Sequence, residues 1–415
     1  MIPVAGSAYT FTYTTVGEIV AWVIGWDLIL EMLMAGSVVS KYWGVYLNQF
    51  FELIGWNINT NIAIGSFNFD LAPVIIVAFF TALLVMGTKI GARVDGALTI
   101  LKIAIVVFIV VVGFFYIKAE NFTPFIPPSE PAASTDGSGV SAVMEQPLWQ
   151  WATGMAPSIY GVTGIISGAA LVFFAFLGFD VVATASEETI NPKKNVPLGI
   201  GVGLGLIIVL YTLVAIVTTG MVSYKDLAKQ SDPSLAVAFK MVGADWAAKI
   251  ISLGIVIGMA TVVMVLLLGL TRVVFAMSRD GLLPRGLSHT GKHGTPVRLQ
   301  IIVGVVMALI AACCNVGILS DMVNIGTLSA FTLVAISIPI MRKKRPDLER
   351  SFKIPGNPWV PILIAIANLW LMVNLSVLTW IRFVVWLIVG FAIYFGYGYR
   401  HARLGAGELE VAAQE

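Results

Sequence analysis

The chain has 415 residues, of which 58% are hydrophobic and 12% are charged, and its formal net charge is +2. Soluble domains carry about 25% charged residues, so this chain has too few polar side chains to cover a water-soluble globule. The composition excludes a soluble enzyme, a nucleic-acid-binding protein and a disordered scaffold. It predicts a membrane protein with several spans.

Long apolar runs, separated by charged residues, proline or Asn/Gly clusters, predict ten transmembrane helices. A helix needs about 20 apolar residues to cross the hydrocarbon of a bilayer, and the unbroken runs lack the alternation of barrel strands. The predicted spans are residues 15–40, 72–90, 95–117, 162–182, 197–221, 249–277, 298–316, 320–341, 359–378 and 382–400.

The distribution of Lys and Arg predicts the orientation of these spans. Sixteen of the 25 Lys and Arg residues fall in one set of loops, seven in the opposite set and two within spans. We therefore expect the first set and both termini in the cytoplasm, in a multi-pass protein of the plasma membrane. The long segment 118–161 and the amphipathic segment 222–248 are expected on the outer side.

The sequence contains neither a Gly-x-Ser-x-Gly nor a His-Glu-x-x-His motif. The candidate functional residues are therefore the ionisable and Gly/Pro-interrupted positions within spans, where a charge costs several kcal/mol unless it is paired or hydrated. Glycine pairs four residues apart allow close contact between helices. We expect such packing at Gly199/Gly203, Gly201/Gly205 and Gly254/Gly258.

The run Phe173-Phe174-Ala175-Phe176-Leu177-Gly178-Phe179-Asp180 is the most informative of these positions. Aromatic residues around a glycine disfavour a continuous helix, and an acid follows within the apolar stretch. Local unwinding would free carbonyl groups for an ammonium group and a half-helix N-terminus for a carboxylate. The alternative is an ordinary Phe-rich span with its acid at the cytoplasmic end.

Three other charged residues lie within apolar runs. Lys102 either extends to the cytoplasmic interface or points into the bundle, where it can exchange a proton near neutral pH. Asp27 and Glu31 are four residues apart and share one helix face, so they either need cations or share a proton. Met264 is an uncharged candidate in the middle of its span, and it is either a packing residue or part of a pocket wall.

These features together resemble the amino acid–polyamine–organocation transporters, and their cationic amino acid transporter-like branch in particular. The resemblance covers nearly the whole chain. Its landmarks are Pro3-x-x-Gly6-Ser7-Ala8-Tyr9, the Phe173–Asp180 run followed by Glu187-Glu188-x-x-Asn191-Pro192, and Ser278-Arg279-Asp280-Gly281-Leu282-Leu283-Pro284.

The resemblance implies an all-α, LeuT-like bundle of two inverted five-helix repeats and two peripheral helices. The ten spans of this chain would be family helices 3–12. Residues 1–117 would complete the first repeat, 118–161 form an outer loop, 162–341 the second repeat, 342–403 the peripheral helices, and 404–415 a cytoplasmic tail. Family helices 1 and 2 have no counterpart in this sequence, which starts where the loop between helices 2 and 3 is expected. We expect a longer natural product, and poor transport by the 415-residue form.

The resemblance also implies the roles of individual residues. Substrate would lie at the unwound stretch, with Lys102 in the proton-coupling role. The implied substrate-binding residues are Phe174, Ala175, Leu177, Asp180, Met264 and Glu31. No metal and no cofactor other than the coupling proton is expected, and the partners are an L-amino acid and the lipid bilayer, not nucleic acid.

The expected function is proton-coupled uptake of L-amino acids by alternating access. An apolar lining of Phe174, Phe176 and Met264 favours neutral or broad-range substrates over cationic ones. Two alternatives stay open on the sequence. In the first alternative, the chain is a transport-inactive truncated paralogue or an accessory subunit. In the second, it is a membrane-embedded enzyme.

Overall fold

A computed structural model describes residues 9, 13, 17–56, 58, 60–64, 67–87, 92–131, 143–179, 182, 189–230, 233–291, 295–344, 346, 354 and 356–402. These residues fold almost entirely into helices. Two antiparallel strand pairs, β1 (Asn61–Ile64) with β2 (Phe67–Asp70) and β3 (Glu130–Pro131) with β4 (Ser158–Ile159), lie in the connections.

The helices follow the chain in an order that matches the predicted spans, with shorter helices between them. They are α1 Glu18–Leu53, α2 Leu71–Val85, α3 Ala92–Phe114, α4 Leu148–Thr153, α5 Gly161–Val172, α6 Pro192–Met221, α7 Tyr224–Ala228, α8 Leu235–Met241, α9 Asp245–Arg279, α10 Val297–Cys313, α11 Val316–Lys344, α12 Trp359–Val373, α13 Val377–Ile393 and α14 Tyr399–His401. Short 3₁₀ turns occur at Ala119–Phe122, Phe173–Phe176 and Arg285–Ser288, and a π-helical turn at Tyr394–Gly398.

Each of the ten predicted spans contains a helix. Within the described residues, six helices are long and apolar enough to cross a membrane, and four apolar helices are shorter. The shorter ones are α2, α5 with its 3₁₀ extension, α10 and α12. The all-helical, multi-span architecture is therefore confirmed. The inverted-repeat relationship between residues 1–117 and 162–341 stays a prediction.

Side chains at several connections fix where the helices begin. The carboxylate of Asp70 accepts a hydrogen bond from the amide of Ala72 at 3.1 Å and caps α2. Ser376 caps α13 in the same way through the amide of Thr379, at 3.2 Å. Such caps satisfy amides that have no partner in the first helical turn.

The first span is longer than predicted, because Lys41 does not end α1 as its charge suggested. Its Nζ donates to the carbonyl oxygen of Cys314, just beyond α10, at 2.6 Å. Further along α1, the buried hydroxyl of Tyr46 accepts a hydrogen bond from the amide of Leu235, at 3.2 Å. α1 therefore continues for 36 residues and is the central helix, packed against α2, α9, α10 and α11.

Contacts at the two ends of α1 agree with the predicted order of crossings. Near its first residue, the hydroxyl of Tyr394, late in the chain, donates to Glu18 at 2.8 Å. Near its last turn, Lys240, just before α9, pairs with Glu52 at 2.9 Å. Helices that alternate in direction bring these segments to opposite ends of the bundle. Which end faces the cytoplasm stays a prediction.

One predicted glycine pair lies in a close helix contact. A Cβ atom on Gly254 of α9 would collide with the side chain of Ile105 on α3. A Cβ atom on Gly258 would lie 3.3 Å from Cγ of Lys102. The absence of side chains at these two positions lets α3 and α9 approach each other.

The glycines of α6 do not show the predicted close packing. A Cβ atom placed on Gly199, Gly201, Gly203 or Gly205 would have no atom of a neighbouring described element within 4 Å. α6 instead packs through its last turns, where Val217 and Met221 fill the space beside Gly113 of α3. The close contact expected at the pairs Gly199/Gly203 and Gly201/Gly205 is therefore not found among the described residues.

Candidate functional site

The helix that begins at Gly161 is interrupted where the sequence predicts. α5 ends at Val172, residues 173–176 form one 3₁₀ turn, and Leu177 is extended, with φ −65° and ψ 151°. Gly178 then has a φ of 109°, a conformation that glycine adopts freely and other residues only with strain. The segment is a broken helix rather than a continuous Phe-rich span.

Polar side chains of two other helices reach the main chain beside the break. The hydroxyl of Tyr211 on α6 donates to the carbonyl oxygen of Ala175 at 2.8 Å. Nδ2 of Asn324 on α11 donates to the carbonyl oxygen of Leu171 at 2.9 Å. A main-chain group without a partner costs several kcal/mol in hydrocarbon, so these bonds stabilise the interrupted helix.

Apolar side chains of three further helices surround the break. Phe174 and Leu177 are partly buried in a cluster with residues of α1, α9 and α11. The buried members are Ala35, Leu266 and Val323, and Met34, Val39 and Val262 pack at its edge. The break therefore packs against the bundle through Phe174 and Leu177, in contact with the central helix, and residues 173–179 stay partly exposed.

Two buried carboxyl groups on α1 approach this cluster. Glu31 precedes Ala35 by one helical turn and is 3% exposed, and Asp27 precedes it by two turns and is fully buried. Ser329 of α11 lies beside the Asp27 carboxyl group. Neither oxygen of Asp27 accepts a well-formed hydrogen bond from the described residues. α1 thus places two acids along the face that leads to the break.

Lys102 lies between two helices rather than along the lipid-facing surface. It is partly buried, and its Cγ, Cδ and Cε atoms all lie within 4.0 Å of the position of a Cβ on Gly258. The stem therefore runs along the interface of α3 and α9, which favours the bundle-facing orientation.

The remaining predicted site residues are only partly brought together. Ala175 lies at the break and is bonded to Tyr211, whereas Asp180 lies outside the described residues. Met264 packs against the larger core around Leu267 and Leu270. Val262, which packs at the break, precedes Met264 by two residues on α9. Two residues correspond to about 200° of rotation around a helix, so Met264 faces away from Val262. The substrate-binding role of Met264 stays a prediction.

Tyr211 and Asn324 were not among the candidates from the sequence, which considered ionisable and glycine-interrupted positions. A usable signal was present. Both are polar residues inside long apolar helices, where a side chain with hydrogen-bonding groups needs a partner. The carbonyl groups of an interrupted helix nearby are suitable partners for such side chains.

The comparison with known families decides the class of the protein. The sequence profile of the family described as amino acid permease matches residues 1–396. The chain belongs to this family. Membership confirms the predicted resemblance to the amino acid–polyamine–organocation transporters. It also identifies a multi-pass membrane transporter and excludes the membrane-embedded enzyme.

Individual relatives of this permease have different named substrates. The chain is 40% identical over 413 residues to the branched-chain amino acid permease BcaP of Bacillus subtilis, covering 97% of this chain and 81% of that protein. It is 39% identical to the methylthioribose transporter of the same organism, with the same coverage of both chains. Cationic amino acid transporter 4 of Homo sapiens is 27% identical, over 98% of this chain and 79% of that protein.

Replacement of Asn324 by Leu is expected to destabilise the permease. The carbonyl oxygen of Leu171 would lose its donor, at a cost of about 1–3 kcal/mol in unfolding free energy. The matched control is Asn368→Leu, because the buried Nδ2 of Asn368 donates to no described residue. Thermal unfolding in lipid nanodiscs should show a lower midpoint for Asn324→Leu alone, and equal midpoints would contradict the bond to Leu171.

Replacement of Gly178 by Ala is expected to strain the break without crowding it. No described atom lies within 4 Å of an added Cβ, so the effect comes from φ alone, at about 1–3 kcal/mol. Gly199→Ala is the control, since Gly199 is helical and equally open. Substrate uptake and thermal midpoint should fall in Gly178→Ala and hold in the control. An unimpaired Gly178→Ala variant would argue against this backbone conformation.

Proposed function

We propose that this permease carries neutral or broad-range L-amino acids, rather than cationic ones, into the cell by proton-coupled alternating access. The observation that carries the proposal is the helix break at Leu177–Gly178 inside an apolar cluster of the bundle. The distribution of Lys and Arg supports an orientation with both termini in the cytoplasm, and we propose the plasma membrane as its location. The LeuT-like inverted repeat supplies the symmetry on which alternating access depends.

The unwound backbone offers the two kinds of group that a zwitterion needs. Carbonyl groups released from the helical ladder accept hydrogen bonds from an ammonium group, and amides at the start of a half-helix donate to a carboxylate. In this proposal the carbonyl groups of residues 173–177 bind the ammonium group, and the amides of Gly178 and Phe179 bind the carboxylate. The α-amino and α-carboxyl groups, which all L-amino acids share, would bind there.

The surroundings of the break favour an aliphatic substrate side chain. Phe174 and Leu177 pack with Ala35, Val262 and Leu266, all of them apolar. A cationic side chain would need an acid at its tip, because a guanidinium or ammonium group in an apolar pocket costs several kcal/mol without one. The described acids on the α1 face that leads to the break, Glu31 and Asp27, lie one and two helical turns from Ala35. The name of the branched-chain amino acid permease relative agrees with this preference.

Methylthioribose is a second candidate substrate, because a relative of almost equal identity is named for its transport. It shares an apolar thioether group with methionine but lacks the zwitterion. A site that recognises substrate through main-chain groups at both charges would therefore bind it more weakly than leucine. This difference lets one uptake experiment separate the two candidates.

Lys102 is the proposed proton-coupling group. It is the lysine within α3, its stem lies against Gly258 of α9, and α9 also supplies Val262 and Leu266 at the break. Gain or loss of a charge at this interface changes the free energy of moving α3 against α9. Protonation can therefore be linked to a change in the shape of the site.

Uptake by purified protein in proteoliposomes tests the proposal. Labelled leucine should enter at least tenfold faster than arginine or methylthioribose, and an inward proton gradient should raise leucine uptake severalfold. Faster arginine uptake would overturn the substrate preference, and faster methylthioribose uptake would favour the second candidate. Flat uptake of all three under both conditions would support the transport-inactive alternative.

Lys102→Gln tests the coupling role separately. The variant should bind leucine, because the break is intact, but its uptake should no longer respond to the proton gradient. Lys249→Gln is the control, since it removes an exposed lysine from the outer part of α9. If Lys102→Gln keeps the wild-type response, another group carries the proton while the transport proposal stands.

A further inference from the structure

Asp27 is a fully buried carboxyl group to which the proposed function assigns no role. It lies in the third turn of the central helix α1, and none of its side chain is exposed. Neither of its oxygens accepts a well-formed hydrogen bond from the described residues. An ionised carboxylate in such surroundings is strongly unfavourable, because it loses its water and gains no cation. Burial of this kind requires a neutralising group.

The Asp27 carboxyl group faces α11. Gly25 lies against Met277 of α9, and two residues correspond to about 200° of rotation, so Asp27 points away from α9. A Cβ atom placed on Gly326 of α11 would lie 3.5 Å from the carbonyl oxygen of Asp27. Ser329, almost one turn further along α11, lies beside the carboxyl group. α1 and α11 are therefore in close contact at this acid.

The helices on the other side of α1 bring no charged group to Asp27. α2 contains no ionisable residue. A Cβ atom placed on Gly36 would meet Leu266 of α9 and Met307 of α10. Gly36 follows Asp27 by nine residues, or two and a half turns, so α9 and α10 pack on the opposite face of α1. The ionisable residues of α9 and the charged residue of α10 are Asp245, Lys249, Arg272, Arg279 and Arg298.

The elements on the α11 side bring no cation to this carboxyl group either. The ionisable residues of α11, α13 and the π-helical turn are Asp321, Arg342, Lys343, Lys344, Arg382, Tyr394 and Tyr397. Arg382 acts on Asp321. No charged side chain of the described residues acts on Asp27. Glu31, one turn along α1, is itself an acid and cannot neutralise it.

A proton is the neutralising group that fits these surroundings. Hard metal ions take several oxygen ligands. Ser329 supplies one hydroxyl oxygen, and the carbonyl groups within α1 and α11 are engaged in helical hydrogen bonds. Among the described residues, no group of three or more His, Cys, Asp or Glu side chains could hold a metal ion. A protonated acid needs only one hydrogen-bonding partner, which the Ser329 hydroxyl provides.

α11 connects this acid to the helix break. The helix already carries the side-chain amide that holds the carbonyl group before the break. Phe331 follows Ser329 by two residues, and its ring centre lies 6.2 Å from that of Phe173 and 5.1 Å from that of Phe179. α11 thus contacts the chain on both sides of the break. A change where α11 meets Asp27 therefore acts on the helix that holds the break.

We propose that Asp27 is a second proton-binding site of the permease, located where α1 meets α11 and separate from Lys102. In this conformation the carboxylic acid is held against the hydroxyl of Ser329. When α11 moves away from α1, the acid gives its proton to water and the carboxylate is hydrated. Loss of the proton therefore favours the conformation in which α11 has moved. The proton site does not depend on the proposed function, whereas its effect on uptake rests on it.

Infrared spectra of the full chain in nanodiscs at neutral pH test the site, because a protonated carboxylic acid has a C=O stretching band that an ionised carboxylate lacks. Asp27→Asn should lose one such band of the wild-type spectrum. Ser329→Ala should keep the band and shift it to higher frequency, because the acid loses its hydrogen bond. The control is Asp226→Asn, which removes an exposed acid paired with Lys229 and should leave the band unchanged.

Uptake in proteoliposomes tests the effect on transport. Asp27→Asn imitates the protonated acid but cannot release a proton, so it should bind leucine within about twofold of wild type and take it up at least tenfold more slowly. Asp226→Asn should match wild type in both measurements.

Four results would each overturn the proposal. They are an unchanged acid band in Asp27→Asn, an unshifted band in Ser329→Ala, loss of the wild-type band on addition of sodium ions, and wild-type uptake by Asp27→Asn. Failure of the transport proposal would appear differently. In that case wild-type protein would take up no leucine, while Asp27→Asn would still lose the acid band.

Discussion

The structure depends on one constraint, which is that main-chain groups within a bilayer must find partners inside the protein. A continuous helix satisfies this constraint with its own hydrogen bonds, whereas the break at Leu177–Gly178 leaves main-chain groups that need other partners. The permease meets it there with side chains from other helices, Tyr211 at the carbonyl of Ala175 and Asn324 at that of Leu171. In the proposed function, the remaining main-chain groups of this short segment bind the substrate.

The packing around the break connects this local feature to the rest of the bundle. α1 is the central helix, and the same helix carries the apolar contact with the break at Ala35 and the buried acids Asp27 and Glu31. α9 contacts the break through Val262 and Leu266, and it contacts Lys102 through Gly258. A substrate at the break and a proton at Lys102 would therefore act on the same helix. This shared helix is the proposed link between substrate binding and proton coupling.

Sequence patterns predicted the number, order and approximate ends of the apolar helices, because each depends on local hydrophobicity. They also predicted the break, since Gly178 among aromatic residues is a local signal. They failed where a distant partner decides the outcome. Lys41 continues α1 because the carbonyl of Cys314 accepts from it, and only some glycine pairs lie in helix contacts. The role of Asn324 is evident only when the elements are assembled, because its partner lies on another helix.

Hydrogen–deuterium exchange across the break tests the central idea most directly. In nanodiscs, amides of residues 173–179 should exchange faster than those of α5, because the helical ladder ends before them. Saturating leucine should slow their exchange at least tenfold and leave the amides of α5 unchanged. Exchange in residues 173–179 that is as slow as in α5, or that ignores bound leucine, would contradict substrate binding by an unwound main chain.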